Sequence, residues 1–176
     1  VDDVETCVTM DLKGSGNLLY LIGETKDEMG GSHYNLVNGL TGGQVPTVDK
    51  DLAPKIFRAL HQAIKQGLIL SCHDLSEGGL AVAAAEMAFA GGVGVEIELP
   101  EGNAALMMYS ESNSRFVVEV ETARSREFEA LMARVHCMQI GVTTGNPKFQ
   151  IIANGATLID GILAELKTAW QSPLDF

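Results

Sequence analysis

Leu68-Ile69-Leu70-Ser71-Cys72-His73-Asp74-Leu75-Ser76-Glu77-Gly78-Gly79, followed by Leu80 to Ala90, decides how this chain is read. The order is a short apolar strand, a polar loop ending in paired glycines, and a helix of small residues. Amides in the first turn of a helix have no partner inside it, and the helix dipole adds partial positive charge there. A phosphate or carboxylate is the natural guest, and Gly78 and Gly79 let backbone approach it without a Cβ. Asp74 and Glu77 repel a bare anion, so a phosphate carrying Mg²⁺ suits the loop better. The alternative is purely structural: Ser76 caps the helix and the two glycines allow tight packing.

Outward from this unit, the chain alternates strand and helix signals. Thr6 to Leu12 and Leu18 to Gly23 read as a hairpin turned by Lys13-Gly14-Ser15-Gly16-Asn17. Polar, glycine-rich loops follow at Glu24 to His33 and at Gly39 to Val48, suited to ligand contact, a domain interface or plain connection. Leu52, Ile56, Leu60 and Ile64 recur at helical spacing between Asp49 and Gly67. After the central unit, Val93 to Leu99 alternates apolar residues with Glu96 and Glu98, as a half-exposed strand does. A short helix at Ala104 to Tyr109 leads into the polar run Ser110-Glu111-Ser112-Asn113-Ser114-Arg115 and a strand from Phe116 to Glu121. Thr122 starts a third helix, Cys137 to Thr143 and Phe149 to Ala153 read as strands around a turn, and Thr157 to Trp170 reads as a last helix. The expected class is α+β, a mixed, largely antiparallel sheet with helices packed on it, in one domain over residues 1–176.

Bulk composition narrows the function. The formal net charge of −11 leaves few basic residues to hold a phosphate backbone, which argues against nucleic acid. Cys7, Cys72 and Cys137 are widely spaced, with no C-x-x-C pair, so a reducing, cytoplasmic setting is expected and a zinc site is not. The longest apolar stretch is too short to cross a bilayer. Val1-Asp2-Asp3-Val4-Glu5 is acidic, without the pattern of a secretory signal, and the chain reads as a piece of a longer polypeptide. No nucleophile–base pair is evident, so no catalytic residue is assigned. His73 beside Asp74 reads as a structural histidine.

Several stretches together carry a family resemblance. They are Thr9-Met10-Asp11-Leu12-Lys13 with Gly16-Asn17, Gly23 to Ser32, His73 to Ala88, and Ser110 to Val120, in that order across nearly the whole chain. The chain resembles the phosphoribosylformylglycinamidine synthase family, the glutamine-dependent, ATP-consuming ligases of purine biosynthesis. It is most similar to the last domain of the synthase subunit, of the aminoimidazole ribonucleotide synthetase C-terminal type. The resemblance implies a subunit of two similar halves, one with a catalytic ATP site and one with a structural site for ADP and Mg²⁺. By that resemblance Asp74 binds the metal and Ser76 touches the nucleotide, in agreement with the loop reading that sets Gly78 and Gly79 at the phosphates. Glu111-Ser112-Asn113 stands where the first half carries a substrate-contacting Glu-Ser-Gln. The Asn, and Pro46-Thr47 after Gln44-Val45 where the first half has a metal-binding Gly-Asp, mark this as the second copy. Implied partners are the other domains of the subunit, a glutaminase subunit or domain, and the nucleotide and ribonucleotide ligands. The domain is expected to be inactive alone and to self-associate through exposed apolar surface. Competing readings are a non-catalytic interaction module, or the same domain in a sister ATP-dependent enzyme such as selenophosphate synthetase or thiamine monophosphate kinase.

Overall fold

The computed structural model describes residues 3–174, so the first two residues of the acidic start lie outside the described residues. In chain order the elements are β1 (Leu18–Ile22), α1 (His33–Val37), α2 (Ala53–Lys65), β2 (Ser71–Asp74), α3 (Gly79–Gly91), β3 (Gly94–Leu99) and α4 (Ala104–Tyr109). There follow β4 (Phe116–Val120), α5 (Ser125–Met132), β5 (Cys137–Thr144), β6 (Lys148–Ala153), β7 (Ala156–Ile162) and α6 (Leu163–Gln171). The described residues form one seven-stranded sheet in the order β2-β4-β1-β5-β3-β6-β7. Every pairing is antiparallel except β3 with β6. The α+β class with a mixed, largely antiparallel sheet is therefore what the chain adopts.

Two cores lie on opposite faces of the sheet. In β1, Leu19 and Leu21 join the core beneath α3, while Tyr20 and Ile22 face Ile56 and Leu60 of α2 and Phe128 of α5. β4 divides in the same way, Val117 to one core and Val118 with Val120 to the other, which is why both strands read as unbroken apolar runs. β3 is covered on one face only: Val95, Ile97 and Leu99 are buried, whereas Glu96 and Glu98 are exposed. Helix α3 is apolar nearly all round because the sheet lies on one side of it and α4 and α6 on another.

The proposed first hairpin does not form. Residues 7–17 make no strand: Leu12 N–H donates to Met87 O at 3.2 Å, and Lys13 and Gly14 N–H donate to the carboxylate of Glu119. Glu119 is fully buried and also accepts from Asn17 Nδ2 at 2.7 Å and Ser71 Oγ at 2.9 Å. A carboxylate with four donors replaces a strand ladder for this segment. The central strand begins three residues later than expected, at Ser71; Leu68 and Ile69 enter the α2-side core ahead of it. Thr122 opens a single 3₁₀ turn rather than capping α5, and its hydroxyl donates to Gly16 O.

The expected helix over Thr157 to Trp170 is a strand and a shorter helix. Asn154 and Gly155 have φ of 51° and 74° and join β6 to β7, with Ala153 opposite Ala156. An Asn-Gly pair in left-handed geometry is the turn whose twist matches an antiparallel ribbon, and the β-branched Thr157, Ile159 and Ile162 suit a strand. Nor do β5 and β6 pair with each other, because β3 lies between them.

Glu119→Ala is expected to cost about 3 kcal/mol in equilibrium denaturation, since each buried donor left without an acceptor costs ~1–3 kcal/mol. A loss under about 1 kcal/mol would show that the segment is held by something else.

Candidate functional site

β2 ends at Asp74, the chain turns through Leu75, Ser76 and Glu77, and α3 begins at Gly79. Opposite this turn, residues 110–115 link α4 to β4. Leu75 N–H donates to Arg115 O at 3.0 Å, which brings the two loops together. Between them lies a cleft of about 550 Å³. Asp74, Ser76 and Glu77 line one side, Glu111, Asn113 and Ser114 the other, with Phe57 and Pro46 at the margin.

Two amides at the start of α3 are already engaged. Gly78 N–H donates to Glu111 Oε1 at 2.8 Å, and Gly79 N–H to Ser76 O at 3.1 Å. Glu111 Oε1 also accepts from His33 N at 2.9 Å, at the start of α1. One carboxylate of the chain thus occupies the anion position that a phosphate was expected to take. The glycines answer to geometry: Gly78 and Gly79 have φ of 78° and 62°, and a Cβ on Gly79 would stand 2.5 Å from Ser110 O. The structural reading of this glycine pair therefore describes these two residues better than phosphate contact does.

Of the substrate-like cluster, Glu111 and Asn113 face the cleft but Ser112 does not. Its hydroxyl is buried, accepting from Lys26 N at 3.0 Å and sharing a hydrogen bond with Ser110 Oγ. Ser114 has a φ of 60°, an unusual geometry for a residue with a side chain, and it carries the backbone around Gly23. Beneath the cleft sits Arg115, buried, with Nε donating to Ser112 O at 3.0 Å, Nη1 to Thr25 Oγ1 at 2.9 Å, and Nη2 to Ser110 O. Burial pulls its guanidinium down to about 10, partly opposed by the negative charges of Glu28 and Glu111, so it remains a cation at neutral pH.

Glu28 ties the two glycine-rich loops together. It is buried, and Oε1 accepts from Thr47 N and Thr47 Oγ1, each at 3.2 Å, while Gly30 N–H donates to Gln44 O at 2.7 Å. These loops are thus bonded to each other and border the cleft through Pro46.

Three carboxylates, Asp74, Glu77 and Glu111, face a single guanidinium, so the cleft disfavours a free anion. Its open donors are carboxylate, hydroxyl and amide oxygens, the hard set that Mg²⁺ prefers. Among the described residues, no three His, Cys, Asp or Glu side chains gather closely enough to hold a metal. Asp74 fits the role of one carboxylate on an ion whose other ligands are water and phosphate oxygens.

Sequence reasoning treated His73 and Glu86 separately and missed their contact. His73 Nε2, at the end of β2, lies 2.9 Å from Glu86 Oε2, in the middle of α3. The available signal was a lone carboxylate in an otherwise apolar helix. Cys72 precedes this pair, and burial, with the charge of Asp74, raises its thiol to about 12. It is not poised as a nucleophile.

This sheet, its two helical covers and the acidic cleft at the start of α3 define an α+β domain that pairs a cation-favouring loop with a polar run before a central strand. The chain belongs to the family described as AIR synthase related protein, C-terminal domain, whose model matches residues 14–154. Solved structures with the same fold include Thermotoga maritima PurL complexed with FGAR, at 16% identity and a TM-score of 0.81 over 93% of this chain. Phosphoribosylformylglycinamidine synthase II from the same organism matches at 14% identity and a TM-score of 0.78 over 93%. The hydrogenase maturation protein HypE in complex with ATP matches at 13% and 0.65 over 91%. The chain spans 30% and 28% of the two T. maritima chains and 54% of the HypE chain. No helix among the described residues is long and apolar enough to cross a membrane.

Three outcomes are expected. Glu111→Ala lowers stability by about 1–3 kcal/mol through loss of a shared acceptor at two helix starts, and sulfate recovers part of it by taking the vacated amide. A sulfate response equal to that of the unsubstituted protein would contradict the anion-position reading. Thiol titration of the native protein at pH 8 gives fast reaction at exposed Cys7 and slow reaction at Cys72 and Cys137, whose thiols burial raises to about 12. Unfolded thiols ionise from about 9, so these two sites hold protons longer in the fold, and stability falls as pH rises from about 9 towards 12.

Proposed function

We propose that this chain is a domain of an ATP-dependent ligase that converts formylglycinamide ribonucleotide to formylglycinamidine ribonucleotide, and that it supports the nucleotide rather than performing the transfer. The observation that carries the reading is the convergence of the Asp74–Ser76 turn and the Glu111–Asn113 run on one acidic cleft, within a family whose solved relatives include PurL structures complexed with FGAR, ATP and ADP. In the whole enzyme the amide oxygen of the substrate is phosphorylated by ATP, and ammonia from glutamine displaces the phosphate. Asp74 holds the nucleotide's Mg²⁺ and Ser76 hydrogen-bonds the nucleotide. Bound Mg²⁺ supplies charge neutralisation for the phosphates. Engagement of the Gly78 amide by Glu111 supports a supporting site over a reactive one, because a phosphate placed there first has to displace a carboxylate of the chain.

The same reading makes other domains of a synthase subunit, and a glutaminase subunit or domain, the partners; a solved relative is a PurLQS complex from T. maritima. Leu36, Val37, Leu40, Val45 and Val48 are each more than half exposed within thirteen residues that reach the cleft at Pro46, which supports their being covered in a larger assembly. A cytoplasmic location accompanies this function. A second reading, the equivalent domain of a sister ATP-dependent enzyme, has the HypE likeness in its favour.

Asp74→Asn in the intact protein separates these roles, with ammonia-dependent turnover and co-purifying ADP measured together. Loss of bound ADP with turnover largely kept is the expected result. Turnover abolished with ADP unchanged would move Asp74 to the reactive centre. No formylglycinamide-dependent ATP use by the unsubstituted protein would favour the sister enzyme.

A further inference from the structure

Helix α3 is apolar along its length except for Glu86. A carboxylate in such a helix is costly to bury unless its oxygens find donors. Both do. Oε1 accepts from Trp170 Nε1 of α6 at 2.8 Å, and Oε2 meets His73 Nε2 at 2.9 Å. On the other side of the imidazole, Nδ1 lies 3.4 Å from Asp74 Oδ1. The four side chains form a continuous polar line from the last helix, through α3, to the end of β2. Its middle is sheltered and its ends are open: His73 and Glu86 side chains are 17% and 20% exposed, Trp170 49% and the Asp74 side chain 67%. Trp170 is steadied by Phe89, whose ring centroid is 5.7 Å away.

We propose that Glu86 is a positioning residue of the cleft: it fixes where the His73 ring stands, the ring beside Asp74 limits how that carboxylate turns, and the carboxylate is thereby presented to a divalent cation in the cleft. Asp74 alone is an exposed carboxylate with free rotation about its last torsion. With the His73 ring 3.4 Å away its turning is restricted on that side, and the contact of Nε2 with Glu86 sets where the ring stands. Groups behind metal ligands orient them in this way, and their removal weakens metal binding ~10–100-fold. The proposal rests on the reading of Asp74 as a cation ligand made above.

The test uses Mn²⁺ with ADP as the probe of the intact protein, followed by water-proton relaxation, with thermal melting as the check on folding. Glu86→Ala is expected to weaken Mn²⁺ binding ~10–100-fold, and to have no further effect once His73 is replaced by Ala. Trp170→Phe, which leaves the His73 contact in place, is expected to change binding less than about threefold, a small loss beside that of removing Glu86. Glu86→Gln preserves volume and is measured in parallel in case the Ala variant does not fold; it is expected to bind more weakly too, since an amide oxygen serves only one of the two donors. Unchanged Mn²⁺ affinity in both Glu86 variants overturns the proposal, as does a Glu86 effect that persists undiminished without His73. If Asp74→Asn binds Mn²⁺ as the unsubstituted protein does, the Asp74 reading fails first and the positioning role falls with it.

Discussion

A single carboxylate, Glu111, joins the starts of two helices, and the cleft depends on it. It accepts the backbone amides of Gly78 and His33, at the beginnings of α3 and α1. Positive helix ends attract an anion, and here the chain provides one from the loop that faces them. That bond brings the 110–115 run against the turn after β2 and holds α1, with its glycine-rich flanks, at the cleft margin. Gly79 completes the constraint. Its position against Ser110 O admits no side chain, so the two loops approach as closely as backbones can.

Glu119 does comparable work inside the molecule. By gathering Lys13, Gly14, Asn17 and Ser71 it fastens the N-terminal segment across β4 and β2. The fold therefore uses internal carboxylates where a hairpin and a side-chain helix cap were the simpler expectations. Both satisfy the same requirement, that buried amides find acceptors. The acceptor's position in sequence, about a hundred residues from the amides of Lys13 and Gly14, is what pattern reading does not supply.

The periodicities that reveal elements are local, and the elements built on them were legible. Ile56 and Leu60 marked α2, and the alternation from Val95 to Leu99 marked β3, with its glutamates outward as expected. Asp74, Ser76, Glu111 and Asn113 were read as site residues and share one cleft, while Ser112 turns inward to Lys26. Errors arose where a local signal competed with a distant partner or was passed over. Lys13 to Asn17 has the composition of a hairpin turn, but the amides of Lys13 and Gly14 are taken by Glu119 and those of Gly16 and Asn17 by Thr143. Asn154-Gly155 was a hairpin signal in plain view; the apolar spacing from Leu158 to Trp170 suits a helix equally well, and length alone did not separate strand from helix.

The electrostatics of the cleft follow from placing a buried cation under exposed anions. Arg115 bonds only to neutral oxygens, and its nearest compensating charges, Glu28 and Glu111, act at a distance. Its position is fixed by three bonds, so its field is permanent, whereas Asp74, Ser76 and Glu77 stand in solvent. An anion entering from solvent meets carboxylates before it feels Arg115, and a lone cation is drawn to Asp74 but opposed from below. The two signs lie at different depths, Asp74 and Glu77 outward and the guanidinium inward, so neither sign of free ion is favoured throughout the cleft. The cleft thus opposes a bare anion at its mouth and a bare cation at its floor, while the amide of Gly78 at the start of α3 is already taken by Glu111.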